Sequence, residues 1–412
     1  MPLIQPFRGL RPAPGRAGEI IAPPYDVLSS AEARTRANGK PWSFLHISKP
    51  EIDLPEDIDP YDQAVYAKAR ENMQKMIDAG VVRRDEAPCF YVYRLTWKDH
   101  TQTGLVAAAS VADYESGRIR KHEHTQPAKE DGRVAQIEAV NAQTGPVMMA
   151  YGEAPNVDAL IAKAASGEPD VDVAADDRVR HTLWVIDSAA TIAALTAAFE
   201  ALSALYIADG HHRSAAAARV CHKRGGIPKA GPVPSHGTFL SVIFPHHQTR
   251  ILPYNRVIKD LNGRDVDTFL AEIAKKFSVA PADKPVEPAT RGEFGMYCDG
   301  SWRRLRIRDE LVPRDDPLGR LDINLLSDHL IAPLLGVSDQ RRDKRIDFVG
   351  GIRGLEELQA RVDSGEMAVA FAFYPTSMED LMAVADAGEV MPTKSTWFEP
   401  KLADGLVSLI LD

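Results

Sequence analysis

A strand that passes into a helix through an Asp-Gly turn constrains the fold of this chain more than any other feature. Residues 205–208 form an apolar run typical of a buried strand, Asp209 and Gly210 follow it, and an alanine-rich helix is predicted to continue to about residue 224. The first N–H groups of a helix have no intrahelical acceptor and lie at the positive end of the helix dipole. The junction therefore predicts an anion site, for which phosphate is the usual ligand.

The side chains at this turn match the chemistry of a phosphate site. Arg213 can present a bidentate fork, and the adjacent Ser214 can add a hydroxyl donor. Asp-Gly is also ordinary turn chemistry, and Ser214 could serve only as a helix cap. The three neighbouring polar side chains of His211, His212 and Arg213 are costly to bury together, which favours a binding site over simple packing. The candidate residues of the turn are Asp209, Gly210, His211, His212, Arg213 and Ser214.

The length and charge of the chain limit its class. Its 412 residues exceed one small core. We expect an N-terminal α+β region at 1–110, a phosphate-binding core at 111–260 and a C-terminal α+β region at 261–412. The net charge of −9 argues against nucleic-acid binding. No apolar run approaches the ~18 residues of a membrane span, and no signal peptide is indicated, so we expect a cytoplasmic protein without a membrane partner.

Apolar periodicity predicts both helices and strands, without a regular β-α-β alternation. Residues 61–79 have a helical apolar face, and residues 90–97 are rich in the aromatic and β-branched side chains typical of a strand. Residues 104–111 are expected to pair antiparallel with that strand. Short strands are also expected at 20–22 and 42–47. This pattern predicts an α+β fold in which mixed sheets are flanked by helices.

A second polar cluster follows a predicted strand, at residues 122–133. In an extended segment, His122 and His124 would share one face and Glu123 would lie on the other. Such a pair can form half of a metal site, or it can bind phosphate while the carboxylate acts as a base. A polar, solvated loop is the alternative. The candidate residues of this cluster are His122, Glu123, His124, Thr125 and Arg133.

A third cluster lies between two prolines near the C-terminus. Lys394, Ser395 and Thr396 provide one cation and two hydroxyl groups on a loop that Pro392 and Pro400 make rigid. Such a loop suits contact with a phosphate or a carboxylate. It is not a P-loop, because the preceding glycine-rich stretch is missing. The alternative is an edge loop without a ligand.

Four motifs together resemble one known family. They are PPYDV at 23–27, HEHT at 122–125, ADGHHR at 208–213 and MPTKST at 391–396, and they resemble the proteins known as domain of unknown function 1015. The ADGHHR turn is also similar to that of free-serine kinases with a ParB/sulfiredoxin-like fold. The resemblance implies a ParB/sulfiredoxin-like strand-turn-helix core that binds phosphate. It further implies the interconversion of serine and O-phosphoserine.

These observations favour a phosphoryl-transfer enzyme of serine metabolism, either an O-phosphoserine phosphatase or a nucleotide-dependent free-serine kinase. Asp209 or Glu123 would orient or deprotonate the attacking group, and His122, His211 and His212 are further catalytic candidates. Mg²⁺ and ADP or ATP are the candidate cofactors, and the expected partner is a small phosphorylated molecule. A ParB-like nucleotide-binding switch and a non-catalytic regulator are the alternatives. The sequence leaves the metal ligands unknown and a homo-oligomer open.

Overall fold

The computed structural model describes residues 2–412, which divide into two compact units. One unit contains the chain up to Thr249 together with Pro400–Asp412, and the other contains Arg250–Glu399. The boundaries of these units, after Thr249 and after Glu399, differ from the boundaries expected from the sequence, after residues 110 and 260. The division into three regions stays a prediction. The last residues of the chain therefore belong to the same unit as the DGHHR turn.

The first unit contains both strands and helices. Its strands are β1 (Ile4–Gln5), β2 (Gly9–Pro12), β3 (Val82–Arg84), β4 (Phe90–Trp97), β5 (His100–Ser110), β6 (Ile119–Arg120), β7 (Ala142–Gln143), β8 (Val147–Tyr151), β9 (Val171–Ala174), β10 (Arg180–Ile186), β11 (Leu205–Asp209), β12 (Thr238–Pro245) and, near the C-terminus, β21 (Ser408–Ile410). Its helices are α1 (Ala17–Ile20), α2 (Ser30–Ala37), α3 (Leu45–Ser48), α4 (Gln63–Asp78), α5 (Val111–Ser116), α6 (Pro127–Val140), α7 (Pro155–Ala164), α8 (Ala189–Glu200) and α9 (His211–Lys223).

The main sheet of this unit has the strand order β6-β11-β8-β12-β5-β4-β10-β9, with β1 beside β5. It is mixed, because β11 is parallel to β6 and antiparallel to β8. The aromatic strand β4 pairs antiparallel with β5 as predicted. The pairing of β11 with β8 becomes irregular between Ile207 and Asp209, which is where the strand leaves the sheet. The predicted α+β class with mixed sheets and flanking helices is confirmed.

The hydrophobic core of the first unit contains two clusters of buried side chains. The larger cluster includes Phe90, Leu105 and Phe239 of the sheet, and the helices α7, α8 and α9 also contribute side chains to it. A second cluster packs Phe44 against Met73 of α4. The predicted helix at 61–79 is confirmed as α4, which the Asp62 side chain caps by accepting from an N–H of its first turn.

Two short strands predicted from the sequence are wrong. Residues Ala17–Ile20 form a helical turn, and Ala22 makes only an isolated antiparallel bridge with Asp404. In the predicted strand at 42–47, Leu45–Ser48 form the helix α3 instead. Short apolar runs do not distinguish a buried strand from a buried helical turn, and here packing against α4 decides for the helix.

A smaller sheet brings the two ends of the first unit together, in the strand order β3-β2-β21-β7. Strand β2 pairs with β21 through Gly9 and Leu409, and β21 also pairs with β7. The Ala22 N–H donates to the Asp404 carbonyl over 3.1 Å, and the Asp404 N–H donates to the Ala22 carbonyl over 2.9 Å. These bonds fix the segment 400–404 beside the PPYDV motif.

The second unit is also built from a sheet and helices. Its strands are β13 (Arg250–Leu252), β14 (Tyr254–Ile258), β15 (Phe277–Ala282), β16 (Glu293–Cys298), β17 (Ser301–Ile307), β18 (Ile346–Gly350), β19 (Val369–Phe373) and β20 (Trp397–Glu399). Its helices are α10 (Val266–Ile273), α11 (Asp322–Leu326), α12 (Ala332–Leu335), α13 (Gly354–Asp363) and α14 (Met378–Asp386), with a π-helical segment at Ser327–Ile331 between α11 and α12. The sheet order is β15-β17-β16-β19-β14-β18, and β13 pairs with β20.

The hairpin of β16 and β17 turns at Asp299 and Gly300. Both residues have positive φ, 52° and 66°, as the two central residues of a type I′ turn require. The hairpin contributes Phe294 and Leu305 to the core of the second unit, which Phe371 also joins. Within residues 2–412, none of the helices is both long enough and apolar enough to cross a bilayer.

Candidate active site

The strand-turn-helix junction forms as predicted, with β11 ending at Asp209 and α9 beginning at His211. Gly210 lies between them in the left-handed region, at φ 101°, where a Cβ would be strained and would also lie 3.4 Å from Val147 Cα. The Arg213 N–H donates to the Gly210 carbonyl over 2.9 Å. Among residues 2–412, no side chain caps this helix. The first N–H groups of α9 are therefore left at its positive end without a helical acceptor or a cap.

Arg213 is held at the turn by two hydrogen bonds that use only part of its guanidinium group. One Nη donates to the Pro146 carbonyl over 2.7 Å, and the other donates to Asp26 Oδ2 over 2.8 Å. The side chain is 9% exposed, and its Nε is buried without a hydrogen-bond partner in the described chain. Burial alone would lower the pKa of Arg213, but Asp26 and Tyr25 contribute to raising it. The guanidinium therefore stays charged and keeps one N–H for a ligand.

Asp209 ends the strand and pairs with a residue from the last segment of the chain. Lys401 Nζ donates to Asp209 Oδ2 over 2.9 Å. Burial raises the pKa of this carboxyl, but Lys401 and Arg213 outweigh that effect and lower it below its usual range. Asp209 is therefore a carboxylate at neutral pH. Lys401 lies at the end of the third sequence cluster, although the candidate residues of that cluster were Lys394, Ser395 and Thr396.

Asp404 is a buried acid that the sequence did not single out. It is 1% exposed, and its Oδ1 has no hydrogen-bond partner among residues 2–412. Burial raises its pKa to about 7, although Arg213 acts in the opposite direction. Gly145 separates the two groups, since a Cβ there would lie 3.5 Å from both Arg213 Cδ and Asp404 Oδ1. An acid that titrates near neutrality thus faces the same glycine as the charged Arg213.

A cavity of about 30 Å³, the Asp404 cavity, lies between these groups. Tyr25, Arg133, Arg213 and Asp404 are among its lining residues. The Arg133 guanidinium lies 3.8 Å from the centre of the Tyr25 ring, which places a second cation at the cavity wall. Arg133 is a predicted site residue, and Tyr25 belongs to the PPYDV motif on which the family resemblance partly rests.

The buried histidines of the two clusters contact each other. The rings of His122 and His211 meet edge to face with their centroids 4.4 Å apart, and both side chains are at most 3% exposed. The His122 backbone N–H donates to His211 Nε2 over 3.4 Å, and Glu123 Oε2 lies 3.5 Å from His211 Nδ1. Burial lowers the pKa of both rings, that of His122 to about 4. The two histidines are neutral at pH 7, and their contact joins the segment at His122 to the first residue of α9.

The segment 121–126 is not a strand, so the expected alternation of faces does not occur. His122 is buried, whereas His124 is exposed and Thr125 is half-buried. His212 Nε2 accepts from the Gln126 N–H over 3.0 Å, which ties this segment to α9. Burial lowers the pKa of His212, and Lys129 acts in the same direction.

Ser214 and the third cluster have their hydroxyl groups engaged locally. Ser214 is fully buried, and its Oγ donates to the His211 carbonyl over 3.0 Å. Lys394, Ser395 and Thr396 belong to the other compact unit. There Ser395 Oγ donates to the Pro392 carbonyl over 2.6 Å, and Lys394 Nζ lies 5.3 Å from the Tyr254 ring centre. A direct role for these residues at the turn stays a prediction.

The candidate site contains carboxylates but no ready-made metal cluster. Within residues 2–412, no group of three or more His, Cys, Asp or Glu side chains is placed to hold a metal ion. The groups that the structure does bring together are a helix N-terminus, two arginines, the buried Asp404 and the partly buried carboxylate of Asp209. A small anion with a proton to exchange matches this arrangement.

A family model decides where the chain belongs. The family described as "Protein of unknown function (DUF1015)" matches residues 4–324. The chain is a DUF1015 protein. The matched range includes the PPYDV, HEHT and ADGHHR motifs, and it ends before MPTKST. Because the family description names no activity, function must be argued from the site itself.

Several solved structures are similar to this DUF1015 protein at low sequence identity. A free serine kinase in complex with AMP is 15% identical with a TM-score of 0.36, over 71% of this chain and 86% of that chain. SbnI with a C-terminal truncation, from Staphylococcus aureus, is 12% identical with a TM-score of 0.38, over 74% and 87%. A conserved hypothetical protein from Pyrococcus furiosus is 16% identical with a TM-score of 0.35, over 73% and 93%. No curated protein matches the chain.

Proposed function

We propose that this protein is a phosphoryl-transfer enzyme that moves a phosphoryl group between a nucleotide and the hydroxyl group of free serine. One observation carries the proposal. The buried Arg213 has an unused N–H and lies beside the uncapped N-terminus of α9. The buried Asp404, whose pKa burial raises to about 7, faces Gly145, the same glycine that Arg213 faces. The first two groups bind a phosphate, and the third can exchange the proton that phosphoryl transfer releases.

The phosphate would be bound by fixed charges and dipoles. The N–H groups at the start of α9 and the free Nε–H of Arg213 are donors that need no reorganisation when an anion arrives. Arg133 adds a second positive charge at the cavity wall. Since phosphoryl transfer depends mainly on positioning and charge neutralisation, this donor set supplies the larger part of what the reaction needs.

The two carboxyl groups are suited to different tasks. Asp404 titrates near neutrality and lines the cavity, so it is our candidate general base. It would take the proton from the serine hydroxyl group while the serine oxygen forms its bond to phosphorus and the bond to the nucleotide's leaving oxygen breaks. Asp209 is held ionised by Lys401, which makes it a poor proton acceptor. The role of Asp209 is therefore to orient Lys401 and to balance charge.

Mg²⁺ is a proposed cofactor that would arrive with the nucleotide. Such ions are held by one or two carboxylates together with substrate phosphates, and Asp209 is a carboxylate at the end of the turn. When bound, Mg²⁺ would neutralise charge on the transferred group.

The substrate assignment is supported by the resemblance of the ADGHHR turn to that of free-serine kinases. Purified protein is incubated with O-phosphoserine, with and without ADP and Mg²⁺. We expect ATP and serine to form only when ADP is present, since that is the kinase reaction run in reverse. Release of inorganic phosphate without ADP would instead identify a phosphatase. Nucleotide binding without either product would identify a binding switch and overturn the enzyme proposal for this substrate.

A matched pair of variants connects the product to the site. Arg213→Ala removes the proposed phosphate ligand, whereas Arg219→Ala removes an arginine farther along α9 that pairs with Glu130 and Asp131. Product formation should be lost in the first variant and kept in the second. Equal activity in both would move the site away from the turn.

A further inference from the structure

The first unit contains a second cavity next to the candidate active site, the His181 cavity. It holds about 70 Å³ of free space, and its lining includes Pro23, Pro24, Leu402 and His181. Ala22 lines this cavity, while Asp404, its partner in the antiparallel bridge, lines the Asp404 cavity. The two cavities are therefore neighbours that share one pair of backbone segments.

Lys401 connects the His181 cavity to the phosphate-binding turn. It lines the cavity, and its ammonium group donates to Asp209 over 2.9 Å. A ligand that fills the cavity therefore contacts a residue that also contacts the end of β11. Any extension of that ligand past Lys401 reaches toward the helix N-terminus of the turn.

His181 directs one fixed hydrogen-bond donor at this cavity. The ring is 2% exposed, and its Nδ1 lies 2.6 Å from the Tyr93 hydroxyl oxygen. That oxygen also accepts from the Ala403 N–H over 3.3 Å, and among residues 2–412 the Tyr93 hydroxyl proton has no acceptor other than His181 Nδ1, so we assign the donation to that nitrogen. The remaining ring hydrogen is then on Nε2, which has no partner among residues 2–412. Burial lowers the pKa of His181 to about 4, so this donor is uncharged at pH 7.

The lining defines the chemistry of the ligand. Proline rings and aliphatic side chains favour a flat apolar group, and a neutral N–H favours an uncharged acceptor on that group. A free amino acid carries two charges and no such flat group. Charged side chains also line the cavity, at Glu19, Arg36, Lys40, Asp176, Asp177 and Lys401. Of these, Lys40 pairs with Asp176 over 2.5 Å, Glu19 pairs with Arg16, and Lys401 pairs with Asp209. A heterocyclic base with a ring nitrogen or carbonyl oxygen fits these features.

We propose that the His181 cavity binds the base of a nucleotide whose phosphates extend past Lys401 to the DGHHR turn. This inference rests on the proposed function, because it assigns the nucleotide of that reaction a place. It divides nucleotide recognition into two parts: the turn binds phosphate of any origin, and the cavity selects for the attached nucleoside. His181 is the specificity residue, and Tyr93 is a positioning residue that fixes its tautomer.

The test measures the affinities of the full-length protein for ADP and for pyrophosphate by calorimetry. His181→Leu removes the donor, and Ala174→Trp fills the cavity from an exposed strand position that lines it. We expect each change to weaken ADP binding by about 10-fold or more, the equivalent of one lost hydrogen bond to a ligand, with pyrophosphate binding unchanged. His181→Gln keeps an N–H donor and should restore part of the affinity. Tyr93→Phe should weaken ADP binding without changing pyrophosphate binding.

The outcomes separate this inference from the proposed function. Unchanged ADP binding in Ala174→Trp and His181→Leu overturns the inference, and so does an equal loss of ADP and pyrophosphate binding. If these variants instead weaken the binding of O-phosphoserine alone, the cavity belongs to the amino acid and the inference is also wrong. If ADP binding depends on His181 but no transfer to or from serine occurs, the inference stands and the proposed function fails.

Discussion

Lys401 and Asp209 are separated by 192 residues in the sequence, yet they form a 2.9 Å ion pair at the end of the turn. The pair exists because Pro400–Asp412 belongs to the same compact unit as the turn. The segment is held there by the pairing of β21 with β2 and by the bridge between Ala22 and Asp404. The C-terminal segment is thus a structural part of the candidate site.

Lys401→Met is expected to lower the rate of phosphoryl transfer by about 10-fold or more. Without the ammonium group, the pKa of Asp209 rises because the charge that lowers it most is gone, and a positive charge beside the phosphate site is lost. The rate is measured with saturating substrate, and folding is checked by urea unfolding.

A double-mutant cycle with Asp209→Asn separates the ion pair from the general loss of charge. We expect a coupling free energy of about 1–3 kcal/mol in unfolding, since the two groups are in direct contact and only partly exposed. Additive effects of the two changes would show that the pair contributes nothing of its own.

Arg213→Ala is expected to lower kcat/KM for the phosphorylated substrate by about 100-fold or more, because it removes a charge-assisted donor from a water-poor site. Arg213→Lys should recover little of this loss. A lysine cannot bond to Pro146 and Asp26 while also presenting a third N–H in the same plane. Arg219→Ala on the same helix is the control, and we expect its kinetics to equal those of the unmodified protein.

Asp404→Asn is expected to abolish the rise of kcat with pH near neutrality. If Asp404 accepts the proton from serine, the rate increases as pH rises through about 7 and is constant above it. The amide cannot accept this proton, so the residual kcat of the variant should not rise with pH near 7. A pH profile with the same inflection in the variant would assign proton transfer to another group.

Asp404 also affects stability, and its contribution to stability falls as pH rises, whereas the rate of the reaction rises. The folded-state pKa of Asp404 is raised, so the folded protein binds its proton more tightly than the unfolded chain does. Its contribution to stability therefore falls by up to about 4 kcal/mol as pH rises from about 4 to 7. Asp404→Asn should be free of this loss. Asp322 in the second unit also has a pKa raised by burial to about 7, and Asp322→Asn is a control that should change the stability profile but not the rate profile.

The parts of the site that were predicted from the sequence depend on local chemistry. Gly210 after an apolar run determines the strand-turn-helix junction, and the aromatic run at 90–97 determines a central strand. Both rest on residues adjacent in sequence. The helix at 45–48 was missed because a four-residue segment carries no readable period, and its conformation is set by packing against α4.

Asp404 and the role of Lys401 could not be predicted, because both depend on long-range pairing. Nothing local distinguishes Asp404 from other acids that follow an apolar residue, and its burial results from the bridge to Ala22. For Ser214, the sequence predicts a ligand to phosphate, and in the structure its hydroxyl donates to the His211 carbonyl. A role for Ser214 at the site stays a prediction.

His122 is expected to make the fold sensitive to acid. Burial lowers its folded-state pKa to about 4, so below its ordinary value of 6.5 the unfolded chain binds a proton that the folded protein does not. The stability that depends on the neutral ring is present above pH 6.5 and is lost as pH falls through 4. For this residue alone, the free energy of unfolding should drop by about 2 kcal/mol between pH 7 and pH 5.

His122→Phe tests this expectation, since it keeps an aromatic ring against His211 but cannot bind the proton. Urea unfolding at pH 7 and pH 5 should show a smaller pH dependence for the variant, even though its stability at pH 7 is about 1 kcal/mol lower from the lost hydrogen bond to the Ile207 backbone. His124→Phe changes the exposed histidine two residues away and is the matched control. If His122→Phe keeps the full pH dependence of the unmodified protein, protonation of His122 is not what destabilises the turn, and the remaining acid sensitivity would have to come from His211 and His181, whose pKa values burial also lowers.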